Sequence, residues 1–206
     1  MADVTTYLVE SPRTVSRDIT TELIRKLVHM LVAIVPLIVS QIGTVATLFL
    51  LGAGTILYTW AEVRRQHGHN VPIITRITNA AVRPRDTGHF VLGPVTLGIG
   101  AMLALLLYPD PAATVAIYAL AFGDSIASVV GKAVGRITLP FTGGKTLEGS
   151  LACASVVAVV AFLVLGSWPM ALVVALAAAV LEALPTRDID NLILPVGVGL
   201  VTLLML

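Results

Sequence analysis

Two blocks of this chain, Ala152–Leu165 and Ala171–Leu181, carry no charged side chain and consist largely of Ala, Leu and Val. Such blocks must be buried on all sides, in protein or in lipid. Protein alone cannot do it: charged residues make up 12% of the 206, about half the share of a soluble domain, and mean hydropathy is +0.95. A soluble globule and a disordered chain are both excluded. A transmembrane β-barrel would alternate apolar and polar residues along each strand, which these blocks do not. The fold class expected is therefore all-α, a polytopic membrane helical bundle. The single cysteine, Cys153, rules out an intramolecular disulfide and a Cys-based metal site. Its apolar surroundings give it a packing role.

Hydropathy places about seven spans near 23–41, 43–62, 89–108, 112–131, 147–165, 168–185 and 190–206. The connectors around Gln41–Thr44, Tyr108–Pro111 and Gly166–Pro169 lack Lys and Arg. All thirteen basic residues lie in or beside the leader and the connectors 63–88, 132–146 and 186–189. The positive-inside rule then predicts a cytoplasmic N-terminus and, after seven crossings, a C-terminus outside. No signal peptide is expected, because a polar leader (1–22) containing acids precedes the first apolar run. Residues 1–206 read as a single integral membrane domain. Within the cytoplasmic connector 63–88, Pro72–Ala80 begins with a proline suited to a helix N1 position and puts Ile73, Ile74 and Ile77 on one face. That pattern predicts a short interfacial helix.

Polar groups in membrane segments are expensive and mark function by default. Four sets gather at the predicted inner ends of the spans. Arg25-Lys26-x-x-His29 opens span one, with His29 one turn inside the apolar run. In the fourth span Gly123, Ala127, Gly131 and Gly135 form a small-residue stripe that permits close helix approach. Beside it, also at a spacing of four, run Asp124, Ser128 and Lys132. Next, Gly143-Gly144-Lys145-Thr146 opens a helix, with Glu148 one turn after Lys145. A glycine turn, a helix N-terminus and a lysine suit a phosphate, although this is no Walker A loop, since Leu139 stands where the first glycine belongs. Last come Glu182, near the inner end of span six, and Asp190-Asn191, which open span seven and could also serve as caps. Carboxylates, cations and a glycine turn on one face suggest a metal-assisted nucleotide-phosphate site with a lipid as second substrate.

With Arg25-Lys26-x-x-His29, Arg83-Pro84-Arg85-Asp86, Gly123-Asp124-x-x-Ala127, Gly143-Gly144-Lys145-Thr146-x-Glu148-Gly149 and Glu182…Asp190-Asn191…Pro195 in this order, the chain resembles the CTP-dependent polyprenol kinase family. That family includes dolichol, phytol and diacylglycerol kinases. The resemblance covers nearly the whole chain. It implies an enzyme that transfers a phosphoryl group from CTP to the hydroxyl of a polyprenol- or dolichol-type isoprenoid alcohol or of diacylglycerol, using Mg²⁺ or another divalent cation. Carried over by position, Asp124, Lys145 and Glu148 are the catalytic candidates, with Asp124 either ligating metal or accepting the hydroxyl proton. Arg25, Lys26, His29, Ser128, Lys132, Gly143, Gly144, Thr146 and Asn191 would bind nucleotide and phosphate. Asp124, Glu182 and Asp190 would hold metal. The expected partners are the lipid alcohol, the nucleotide and the membrane, with no nucleic acid, and the site is expected on the cytoplasmic face. Asp86 stands where a glutamate is expected, which leaves connector 63–88 outside the catalytic core.

Three alternatives have weaker support. A CTP:lipid-phosphate cytidylyltransferase would carry a long C-terminal signature absent here. A glycerol-3-phosphate acyltransferase shares the Gly-Gly-Lys turn, but its Gly-Ser-Gly-Asn loop is missing. A small transporter would place polar groups near the bilayer midplane.

Overall fold

The computed structural model describes residues 12–69, 71–81, 88–186 and 189–206. The described residues are almost wholly helical. Helix α1 (Pro12–Met30) passes through a 3₁₀ turn at Leu31–Ile34 into α2 (Val35–Ile42), and α3 (Thr44–Gln66) follows. A short α4 (Pro72–Ala81) packs against α1 and α3. It lies where the isoleucine pattern predicts a helix. After α5 (Gly93–Leu107), α6 (Ala112–Tyr118) continues through a π turn at Ala119–Gly123 into α7 (Asp124–Val134). Then come α8 (Leu147–Leu165), α9 (Trp168–Ala183) and α10 (Asp190–Met205). The motif Arg83–Asp86 and residue Arg187 lie outside the described residues.

Among the described residues, four rods are long and apolar enough to cross a bilayer: Thr20–Ile42, Thr44–Gln66, Ala112–Val134 and Leu147–Leu165. The other three predicted spans coincide with α5, α9 and α10, which are apolar but only 15 or 16 residues long. At 1.5 Å per residue they reach about 22–24 Å, short of the ~30 Å hydrocarbon core. Leu, Ile, Phe and Trp side chains stand exposed around the bundle, among them Phe49, Ile56, Leu163 and Leu176. That outward apolar surface is what lipid, not water, accommodates.

The 112–134 rod is central: 61% of its apolar window is buried, against 11–33% for the other three. Small side chains explain how it is surrounded. Ala112, Ala113, Ala116, Ala119, Ala121 and Ala127 are all buried on this rod, and Ala119 and Ala127 share one apolar cluster with Ala158, Ala161, Ala171, Ala175 and Ala178 of α8 and α9. Among apolar neighbours, association depends on close packing, which small residues permit. The predicted glycine stripe is one such seam. A Cβ on Gly123 would come 3.0 Å from Val157 Cγ2 on α8, and one on Gly149 would come 2.8 Å from the Ala127 carbonyl. A second seam joins α5 to α10. Pro195 lacks the N–H that would bond the Asn191 carbonyl. Gly100 packs against that carbonyl so closely that a Cβ would reach 2.0 Å.

Candidate functional site

The first polar group grows from one face of α1. Glu22, Lys26 and His29, spaced four and three apart, are all buried. Lys26 Nζ is ion-paired with Asp124 Oδ2 on α7, and His29 Nε2 lies 3.3 Å from the same oxygen. Glu22 is paired with Arg25 on its own helix and accepts from Lys132 Nζ of α7 at 2.6 Å. As α1 advances from Glu22 to Lys26, its partners on α7 retreat from Lys132 to Asp124. The helices therefore run antiparallel, and the start of the first span meets the end of the fourth. Asp124 reaches α1 directly after the π turn. A π turn breaks the 3.6-residue register and frequently sits at functional positions.

The second group is built by a turn. Backbone bonds Leu139 N to Lys145 O and Leu147 N to Ile137 O, each 2.9 Å, close a narrow hairpin with a single bridge between Thr138 and Thr146. The chain reverses through Phe141 at φ 62°, Gly143 at φ 70° and Gly144 at φ 98°. Glycine tolerates these left-handed angles without Cβ strain. Lys145 leaves this turn and donates to Glu182 Oε1 of α9 at 2.5 Å. Ser150 Oγ of α8 donates to the other oxygen at 3.3 Å. Thr146 caps α8, its hydroxyl accepting from Gly149 N at 3.2 Å, which is the ordinary N-cap bond.

Glu22 and Lys132 of the first group and the glycine turn, Thr146 and Glu182 of the second meet at one cavity of about 580 Å³, lined by residues from α1, α7, the glycine turn, the start of α8, the end of α9, the following turn and the first residue of α10. Its size falls within the ~300–1,000 Å³ of small-molecule sites. Of the residues singled out from sequence, Ser128, Lys132, Gly143, Gly144, Lys145, Thr146, Glu182 and Asp190 all line it. The leader end of α1, the 132–146 connector, residues 184–186 and Asp190 thus meet at one end of the bundle.

Other candidates lie beside the cavity or serve the frame. Arg25, Lys26, His29 and Asp124 do not line it; the last three form the buried cluster next to it. The Glu148 carboxylate accepts from Ile137 N at 3.2 and 3.3 Å and so ties the hairpin base to α8. Asn191 Nδ2 donates to Thr96 Oγ1 at 2.8 Å and to the Gly93 carbonyl at 3.3 Å, bracing α10 against α5. The backbone N–H of Asn191 bonds Asp190 Oδ1 at 2.9 Å.

Sequence reasoning missed Glu22, which lines the cavity although its segment reads as polar leader. The spacing Glu22–Lys26–His29, one face of a helix, was the available signal. Thr142 and Thr186 also line the cavity and carry no pattern that would single them out.

Among the described residues no three His, Cys, Asp or Glu side chains are grouped as a ready metal cage. Glu22, Glu182 and Asp190 nevertheless face the cavity as separate carboxylates. Glu22 and Glu182 are already ion-paired; carboxylates are the donor type that a hard cation such as Mg²⁺ takes, one or two of them together with substrate phosphates.

No family model matches the chain, and no solved structure does. It is similar to a wheat (Triticum aestivum) protein named probable phytol kinase, chloroplastic, with 29% identity over 147 residues, covering 63% of this chain and 49% of that protein. The chain spans about half the length of this curated relative.

Proposed function

We propose that the protein is an integral-membrane kinase that transfers the γ-phosphoryl group of CTP to the hydroxyl of an isoprenoid alcohol. The observation that carries this reading is the cavity. It gathers a glycine turn, two lysines and three carboxylates at one end of a helical membrane bundle. The similarity to a phytol kinase supports both the reaction class and a prenyl alcohol of the phytol type, ahead of diacylglycerol. Positive-inside asymmetry supports seven crossings with this end cytoplasmic.

In the reaction the alcohol oxygen attacks the γ-phosphorus, the bond from γ-phosphorus to the β–γ bridging oxygen breaks, and CDP leaves. The hydroxyl proton passes to solvent or to a cavity carboxylate. Phosphoryl transfer asks the protein mainly for positioning and charge neutralisation. Lys145 and Lys132 meet the phosphate oxygens, and the Gly143-Gly144 turn allows the backbone to approach them without a Cβ in the way. Arg25, Lys132 and Lys145 balance Glu22, Glu182 and Asp190 in formal charge, so it is the incoming triphosphate that brings the excess negative charge. A bound divalent cation, held by Asp190 and Glu182, would supply the remaining charge neutralisation. Asp124 acts from behind the wall, fixing α7 to α1 through Lys26. The apolar bundle surface would keep the prenyl chain in lipid while the hydroxyl reaches the cavity.

The test is incubation of purified protein with α- or γ-labelled CTP, phytol and a panel of other lipid alcohols. Label from the γ position in phytyl phosphate supports the kinase. Label from the α position in lipid would instead identify a cytidylyltransferase, and label in neither would remove both.

A further inference from the structure

Glu22 has a part in the cavity that nothing in the carried-over motif gives it. Its carboxylate is 2% exposed and is fixed on its own helix by Arg25. It lines the cavity and accepts from Lys132 Nζ at 2.6 Å. The Lys132 side chain, in contrast, is 46% exposed, so without a partner its four-carbon stem would sample many rotamers. A buried, doubly engaged acid beside a half-exposed cation is an arrangement that orients the cation.

We propose that Glu22 is a positioning residue of the phosphate site: held by Arg25, it fixes the Lys132 ammonium at the cavity wall so that an anionic ligand meets an oriented donor. The inference rests on the cavity being a phosphate site. It does not need the ligand to be CTP or the second substrate to be a prenyl alcohol. Because α1 supplies Glu22 and Lys26 together, one helix face both docks α1 on α7 and sets the cavity's charge.

The experiment measures pyrophosphate affinity by calorimetry, with magnesium present throughout, on full-length Glu22→Gln, Glu22→Asp, Lys132→Gln and the two double variants with Lys132→Gln. Melting temperature is read on the same preparations. Glu22→Gln should weaken pyrophosphate about tenfold, the scale of one lost charge-assisted contact, and should weaken it no further in the Lys132→Gln background. Glu22→Asp keeps the charge and should fall between Glu22→Gln and wild type. It carries the test if Glu22→Gln fails to accumulate, because its loss too must vanish when Lys132 is replaced. Three results would overturn the proposal: unchanged affinity in Glu22→Gln, a loss that persists undiminished without Lys132, or tighter binding. Tighter binding would mean that the carboxylate competes with the ligand for the lysine. Wild-type protein that binds no pyrophosphate would remove the phosphate site and this role with it. The Glu22 pattern above without any turnover of CTP would sink the kinase reading alone.

Discussion

Lys145 and Glu182, 37 residues apart, meet at 2.5 Å and join the glycine turn to the end of α9. The lysine is 28% exposed and the glutamate 3%, so the pair has a wet side facing the cavity and a dry side facing the helices. On the proposed function, a phosphate entering the cavity would find the ammonium already aimed, while the buried acid keeps the turn in place.

Replacing Lys145 separates these two roles. Lys145→Ala should lower turnover on the order of 10²-fold, as loss of a preorganised charge does. It should also lower stability, because Glu182 is left buried without its cation. Adding Glu182→Gln should restore the melting temperature and leave activity low, since the double variant lacks both the lysine and the carboxylate proposed to hold the cation. Recovery of activity in the double variant would show that the lysine serves only the fold.

Asp124 is expected to behave differently from a cavity residue. It and Lys26 are both almost fully buried, so Asp124→Asn strands an ammonium in the interior. Removing one partner of such a pair costs about 3–5 kcal/mol. A marked drop in melting temperature is predicted, partly reversed by Lys26→Met in the same chain. Folded Asp124→Asn protein with specific activity within about threefold of wild type, under roughly 1 kcal/mol, would end any part for this carboxylate in catalysis.

Gly149→Ala probes the seam behind the cavity. The new Cβ would stand 2.8 Å from the Ala127 carbonyl, and a backbone atom cannot swing aside as a side chain can. Overpacking of this kind costs about 1–3 kcal/mol. Because Gly149 also lines the cavity, nucleotide KM should rise together with the fall in melting temperature. A variant as stable and as active as wild type would contradict the seam.

Orientation is checked by cysteine labelling on a background in which buried Cys153 is replaced by Ala. Cysteines at positions 76 and 145 should be reached by a membrane-impermeant reagent only from the cytoplasmic side. Those at 43 and 166 should be reached only from the other. Labelling of 76 and 145 from opposite sides would break the single-ended site.

Much of this was legible in the sequence because hydropathy is a local signal. The seven apolar runs coincide with helices, four of them long and apolar enough to cross a bilayer. The spacing of Gly123, Ala127 and Gly131 foretold the α7–α8 seam, because side-chain size at period four decides how closely helices approach. The Gly-Gly-Lys-Thr turn was readable for a similar reason: left-handed angles at Gly143 and Gly144 demand glycine. Long-range pairing was not readable. Nothing near Asp124 says that its cation lies 98 residues away. The π turn that precedes it is a backbone register shift without a compositional mark. Glu148 and Asn191 look in sequence like ligands, and in the structure they hold a hairpin and a helix joint; a carboxylate or amide at a helix start serves either purpose, and sequence does not tell the two apart. Glu22 was hidden by the opposite error, a buried acid within a segment whose average character is polar.

The most direct measurement of the central claim is single-turnover transfer from γ-labelled CTP to phytol by purified protein in liposomes, wild type beside Lys145→Ala with Glu182→Gln. The account predicts labelled phytyl phosphate from the wild type, abolished by chelation of divalent cations and reduced on the order of 10²-fold in the folded double variant. Labelled lipid formed equally by both proteins would place the chemistry outside this cavity, and no labelled lipid from the wild type with any prenyl alcohol would contradict the function itself.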